Sequence, residues 1–139
     1  MYLKRLEILG FKSFSEKTQI FFQPGITGLV GPNGCGKSNI ADAILWALGE
    51  QSSKALRGEK MEDLIFNGTE FKKPTAMAEV SMTIGDINGE IANDFAGFGE
   101  IAITRRVYRS GEGEYIINKV HSRLKDIKDL MIDMGVSTH

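Results

Sequence analysis

The chain carries a single cysteine, Cys35, so no internal disulfide is available, which fits a reducing, cytoplasmic setting. No apolar run approaches the roughly 20 residues needed to span a bilayer. The start, Met1-Tyr2-Leu3-Lys4-Arg5, lacks the apolar core and small-residue cleavage site of a signal peptide. No membrane partner is expected. A formal net charge of −1 means that no global basic field advertises a nucleic acid, so any such contact must come from a local patch. What is present is ordinary for a soluble domain: 139 residues, 42% hydrophobic and 25% charged, enough for one domain with a real core.

Against that background one stretch stands out. Gly31-Pro32-Asn33-Gly34-Cys35-Gly36-Lys37-Ser38 matches the phosphate-binding (Walker A) pattern G-x-x-x-x-G-K-[ST] without a gap. Glycines let the backbone turn tightly around an anion, so that successive N–H groups point inward. Lys37 supplies a point charge near the β- and γ-phosphates, and the Ser38 hydroxyl suits a Mg²⁺ ligand. Cys35 occupies a position where the pattern accepts any residue, and a small side chain that does not crowd a nucleotide is explanation enough. Residues 25–30 read as a short buried strand. Ile40, Ala43, Ile44, Ala47 and Leu48 form one face of a helix that Gly49 stops. A chance Gly-rich turn would match in about one chain of this size in a few hundred. The flanking strand and helix make that reading weaker still.

Two strands, 2–9 and 17–22, precede the one that feeds the loop, with the turn Pro24-Gly25 between. The chain is therefore not a simple βαβ unit, and a small antiparallel sheet is expected beside the main one. Residues 51–60 read as a loop; 61–66 return to apolar character before the turn Asn67-Gly68. Ala76, Ala78, Val80, Met82 and Ile84 alternate with Met77, Glu79, Ser81 and Thr83, as in a half-buried strand. Residues 85–99 should be an exposed connection. Ile101, Ile103, Arg105 and Val107 alternate with Ala102, Thr104, Arg106 and Tyr108, and Gly111-Glu112-Gly113 turns that strand back into 115–117. From about Ser122 to Met134, Leu124, Ile127, Leu130, Met131 and Met134 form the apolar stripe of a helix.

An ATP-hydrolysing phosphate loop usually works with a buried apolar strand ending in an Asp that holds Mg²⁺. The nearest candidate, Leu130-Met131-Ile132-Asp133, lies in the helical stripe, and as a strand it would bury Lys128 or Asp129. No general base and no Leu-Ser-Gly-Gly-type capping run is present either. The chain reads as half of an ATPase.

The residues also form an ordered set: Gly10-Phe11-Lys12-Ser13-Phe14, the phosphate loop with Asn39-Ile40, and Lys54-Ala55-Leu56-Arg57-Gly58. Met61-Glu62-Asp63-Leu64-Ile65-Phe66, Asn67-Gly68-Thr69, residues 104–112 and Tyr115-Ile116-Ile117-Asn118 follow. Together they resemble the N-terminal head segment of the structural maintenance of chromosomes (SMC) proteins, over all of the chain except 85–99. The resemblance implies an α/β fold. This would be an ABC-type ATPase half-head, a mixed β-sheet with an antiparallel β subdomain wrapped around the phosphate-loop helix. Residues 1–139 would then be the N-terminal half of a head, a fragment lacking the C-terminal half, coiled coil and hinge. It implies ATP and Mg²⁺ as cofactors, and a glutamine loop soon after His139. The implied partners are the C-terminal head segment of the same protein, a second SMC head as homodimer, DNA and kleisin-type accessory subunits.

Site residues follow from the same resemblance. Pro32, Asn33, Gly34, Cys35, Gly36, Lys37, Ser38 and Asn39 would wrap the phosphates, with Ser38 on the metal. Lys12 would lie near the phosphates, against the plain alternative of a solvated loop lysine, and Asp63 and Leu64 would approach adenine and ribose. Arg57 would act with Lys37 in catalysis, as an arginine finger linked to DNA-stimulated hydrolysis. Arg105, Arg106 and Arg109 are candidates for DNA phosphates, although 105 and 106 must point to opposite faces of a strand. Lys119, His121, Arg123, Lys125 and Lys128 form a second basic group, and solvated faces are an equal reading for both. His121 has no ligand cluster around it, so no metal role is expected there. Competing functions are a DNA-repair ATPase of the RecN or RecF kind, a small P-loop phosphotransferase, or a non-catalytic binding module. On the leading reading the isolated chain binds ATP weakly and does not turn over.

Overall fold

Period-two alternation over six short segments builds one antiparallel sheet. The computed structural model describes residues 2–22, 35–52, 56, 60–85 and 99–133. In chain order these hold β1 (Tyr2–Leu9), β2 (Thr18–Phe21), α1 (Cys35–Ala47) and a 3-10 turn (Met61–Leu64). Then come β3 (Met77–Gly85), β4 (Glu100–Tyr108), β5 (Gly113–Ile117), β6 (Val120–Ser122) and α2 (Leu124–Asp133). The strand order is β2-β1-β3-β4-β5-β6. Every neighbouring pair is antiparallel. The expected strand at 25–30 and the connection at 85–99 fall largely outside the described residues, as does Met134.

Register puts the apolar residues on one face. Leu6 and Ile8 of β1 lie opposite Met82 and Val80 of β3, which in turn face Ile103 and Arg105 of β4. Leu6, Ile8, Ala78, Val80, Ile101 and Ile103 are fully buried. They form one core with Ala43, Trp46 and Ala47 of α1 and Ile127, Leu130 and Met131 of α2. The other sheet face is polar, as an antiparallel sheet with one solvated side allows. There Arg106 donates to Glu79 at 3.0 Å and to Glu114 at 3.2 Å, and Thr104 donates to Ser81 at 2.9 Å.

The segments linking the strands are set by backbone geometry. Gly10 has φ +66°. A Cβ there would collide with the Met77 carbonyl oxygen, so only glycine lets the chain leave β1 at this point. Phe66 N–H donates to Gly10 O at 2.7 Å, and Ile65 bridges to Phe11, which stitches the 3-10 turn to the end of β1. At the other end of the sheet, Asn118 (φ +48°) and Lys119 (φ +69°) make a two-residue left-handed turn into β6. That strand was not anticipated, because Asn-Lys is a weaker hairpin signal than Asn-Gly. The last helix begins at Leu124, two residues later than expected, where Asp126 accepts from the Arg123 N–H at 2.8 Å and caps it. No helix among the described residues is long and apolar enough to cross a membrane.

Candidate nucleotide-binding site

The site is organised on α1. The first N–H groups of a helix have no intrahelical partner and sit at the positive end of its dipole, which suits an anion. Lys37 and Ser38 lie in that first turn, which holds no acidic residue to repel a phosphate. Their side chains, with those of Cys35 and Gly36, are outside the description, as are Pro32, Asn33 and Gly34 altogether.

The described part of the site is a loop docked on the helix. Lys12 extends its side chain to α1, where Nζ donates to Asp42 Oδ2 at 2.6 Å and to the Leu56 carbonyl at 2.6 Å. One residue on, Ser13 Oγ accepts from Asn39 Nδ2 at 2.8 Å. The Lys12 backbone N–H donates to Leu64 O at 2.7 Å. Three residues expected at a nucleotide, Lys12, Asn39 and Leu64, are thus brought together around α1. Asp63 is spent locally: its carboxylate accepts from Lys60 N–H at 3.0 Å and caps the 3-10 turn. Arg57 falls outside the described residues, and its neighbour Leu56 is fully buried.

Asp42 was missed by sequence reading. It is a carboxylate only 6% exposed, beside the apolar stripe of α1 and one helical turn beyond Ser38. A buried carboxylate needs a cationic partner, and Lys12 is that partner.

The expected helix face packs on the core, with Trp46 added to it. Its buried centre is Ala43, Trp46 and Ala47, whereas Ile40, Ile44 and Leu48 are only partly covered. Ala41 and Leu45 are exposed. Ala41, Ile44, Leu45 and Leu48 therefore form a second apolar stripe at i, i+3, i+4 and i+7. A helix apolar on both sides belongs inside a protein, not on its surface.

The arginines proposed for DNA all have partners within the chain. Arg105 is 6% exposed and lies between the rings of Trp46 (4.8 Å) and Tyr115 (4.9 Å). It donates to the carbonyls of Trp46 at 2.8 Å and Glu50 at 2.7 Å, capping the C-terminal end of α1. Burial pulls its pKa below the usual arginine range, against the opposing pull of Tyr115 and Glu50. Arg106 points the other way, as expected, into the carboxylates of Glu79 and Glu114. Arg109 donates to the carbonyls of Thr75 at 3.1 Å and Phe66 at 2.9 Å. Arg105 is thus buried, whereas Arg109 keeps its place at the surface. In the second basic group, Arg123 lies 3.6 Å from Asp126, while His121, Lys125 and Lys128 include no such contact among the described residues. A cavity of about 230 Å³ lined by Trp46, Met61, Arg105 and Tyr115 lies at the C-terminal end of α1.

Comparison with known proteins agrees with this geometry. The family described as RecF/RecN/SMC N terminal domain matches residues 2–139. The chromosome partition protein Smc of Myxococcus xanthus is 55% identical over 139 residues, covering 99% of this chain and 12% of that protein. The Bacillus subtilis Smc is 53% identical over 136 residues, covering 98% and 11%. The chain thus spans only about an eighth of these relatives. Among solved structures, an SMC head bound to the C-winged-helix domain of ScpA superposes with a TM-score of 0.91. It is 38% identical, over 100% of this chain and 42% of that one. A structure concerned with ATP-driven dimerization and DNA-stimulated activation of SMC ATPases gives 0.89 at 37% identity, over 99% and 81%. These matches favour an SMC head over the RecN or RecF alternative, and give no support to a small phosphotransferase. The chain belongs to the RecF/RecN/SMC N terminal domain family, as an N-terminal SMC head segment.

Proposed function

We propose that this chain is the ATP-binding half of a chromosome-partition ATPase head, completed by a C-terminal head segment. The observation that carries this reading is α1, which has residues 35–38 of the phosphate loop in its first turn and, on its outer side, the exposed Ala41 and Leu45 beside the half-covered Ile44 and Leu48. The chain's own donors fit a nucleotide triphosphate. Backbone N–H groups of residues 33–39 would wrap the α- and β-phosphates, Lys37 would supply a charge near the β- and γ-phosphates, and Ser38 would ligand Mg²⁺. Lys12 adds a second cation from the docked loop, and the nucleoside side falls to the 3-10 turn, whose Asp63 carboxylate caps it and whose Leu64 is buried beneath it. The metal neutralises phosphate charge when bound. The catalytic contributions from this chain are Lys37 and Arg57, both offsetting charge that grows on the phosphoryl group.

The acidic strand and general base come from the C-terminal segment, and the capping run from a second head across a shared dimer interface. Structures related to this chain include one of an SMC head with ScpA and one concerned with DNA-stimulated SMC ATPases. A kleisin-type subunit and DNA are the corresponding partners here, in the cytoplasm.

The test is reconstitution. This chain alone should show no ATP turnover, and adding the C-terminal segment should restore Mg²⁺-dependent hydrolysis that Lys37→Ala abolishes. DNA should stimulate it, and Arg57→Ala should remove that stimulation. Hydrolysis by this chain alone, lost in Lys37→Ala, would overturn the half-enzyme reading.

A further inference from the structure

We propose that Asp42 is a positioning residue for nucleotide binding, acting through Lys12; this rests on the reading above, in which Lys12 meets the phosphates. Lys12 is one of only three non-glycine residues with positive φ among the described residues, at +50°. A lysine gains nothing locally from that conformation, so surrounding contacts must hold it there. They do so at three points: the backbone N–H on Leu64 O, and Nζ on both Asp42 and Leu56 O. The paired side chains are 14% and 9% exposed, so water neither screens nor replaces the contact.

The placement of Asp42 draws the ammonium toward the N-terminal turns of α1. Helix side chains lean toward the N-terminus, so a carboxylate at position 42 covers the turn of residues 38 and 39. Asn39 in that turn pins the adjacent Ser13. A lysine ammonium has three N–H donors, of which two are used by Asp42 and Leu56. The third is left for a phosphate oxygen, on a side chain whose rotamer freedom is already lost before the ligand arrives. Asp42 therefore acts on affinity without touching the nucleotide.

The experiment measures binding of a fluorescent ATP analogue, with Mg²⁺, to the complete head assembled from this chain and its C-terminal segment. Lys12→Ala should weaken binding. Asp42→Ala should weaken it about tenfold, the lower end of what outer-layer partners do to metal ligands, and should raise KM more than it lowers kcat. Introduced into Lys12→Ala, the same change should have no further effect. Because Asp42→Ala leaves a poorly solvated ammonium unpaired and threatens folding, Asp42→Asn and the double variant Lys12→Met/Asp42→Leu are measured beside it. The double variant should bind as Lys12→Met alone does. Equal weakening by Asp42→Ala with and without Lys12 would assign Asp42 to the fold and overturn the proposal, as would tighter binding by Asp42→Asn. If Lys12→Ala weakens binding and Asp42→Ala does not, only this proposal fails. If Lys12→Ala has no effect, the assignment of Lys12 to the phosphates fails with it.

Discussion

Replacing Arg105 by alanine would strip the Trp46 and Glu50 carbonyls of their donor and leave two aromatic faces without the cation between them. Two charged hydrogen bonds and two ring contacts of this kind sum, at the low end, to about 4 kcal/mol. Arg105→Ala should lower unfolding stability by about that amount in a denaturant titration, and Arg105→Lys should recover only part of it, because an ammonium cannot stack or fork in the same way. Gly10→Ala forces a Cβ against the Met77 carbonyl at a left-handed φ. It should cost about 2 kcal/mol or more, read from the same titration. Asp126 behaves differently because it is solvated. The Arg123 N–H, donating to its carboxylate, holds its pKa below the usual aspartate range. A depressed folded-state pKa contributes stability above the ordinary aspartate value, and that contribution is lost as pH falls through the folded one. The Arg123 amide should therefore lose hydrogen-exchange protection on acidification in that window, and Asp126→Asn should remove the pH dependence.

At the scale of elements, α1 invites the sharpest prediction. Leu45 is 46% exposed on the outer stripe, so Leu45→Asp should change the stability of the isolated chain by no more than about 0.5 kcal/mol. The same change should prevent co-purification with the C-terminal head segment, since a carboxylate buried in that interface would lack a partner. Thermal melting and analytical ultracentrifugation read the two effects separately. The elements differ in how much of this was visible beforehand. The strands 76–84 and 101–108 were legible because one sheet face is solvated, and alternation then marks burial directly. Even Arg105 fell on the correct face, but a single sequence cannot show that Trp46 and Tyr115 wait on either side of it. The helix stripe was legible in its five expected residues, all in or against the core, but Trp46 was not, because α1 is apolar nearly all round. The phosphate-loop pattern is read from spacing alone, and residues 31–34 lie outside the described residues. Asp42 was not legible, because its importance depends on Lys12, thirty residues away.

For the whole molecule, the sheet order sets when the site can exist. Leu9 pairs with Glu79, so α1 and the phosphate-loop residues before it all lie in the segment that this pairing must close. The β1–β2 hairpin and the β3–β4 and β4–β5 pairs are local by comparison and can form early. Long-range closure is entropically costly and slow. Ile8, paired with Val80 in the β1–β3 seam, is fully buried. If that seam closes in the rate-limiting step, Ile8→Ala should slow refolding more than it speeds unfolding in stopped-flow measurements. A ribosome releasing this segment thus exposes the loop-and-helix sequence before its enclosing strand has emerged, and the nascent chain cannot hold nucleotide until β3 has been synthesised and has found β1.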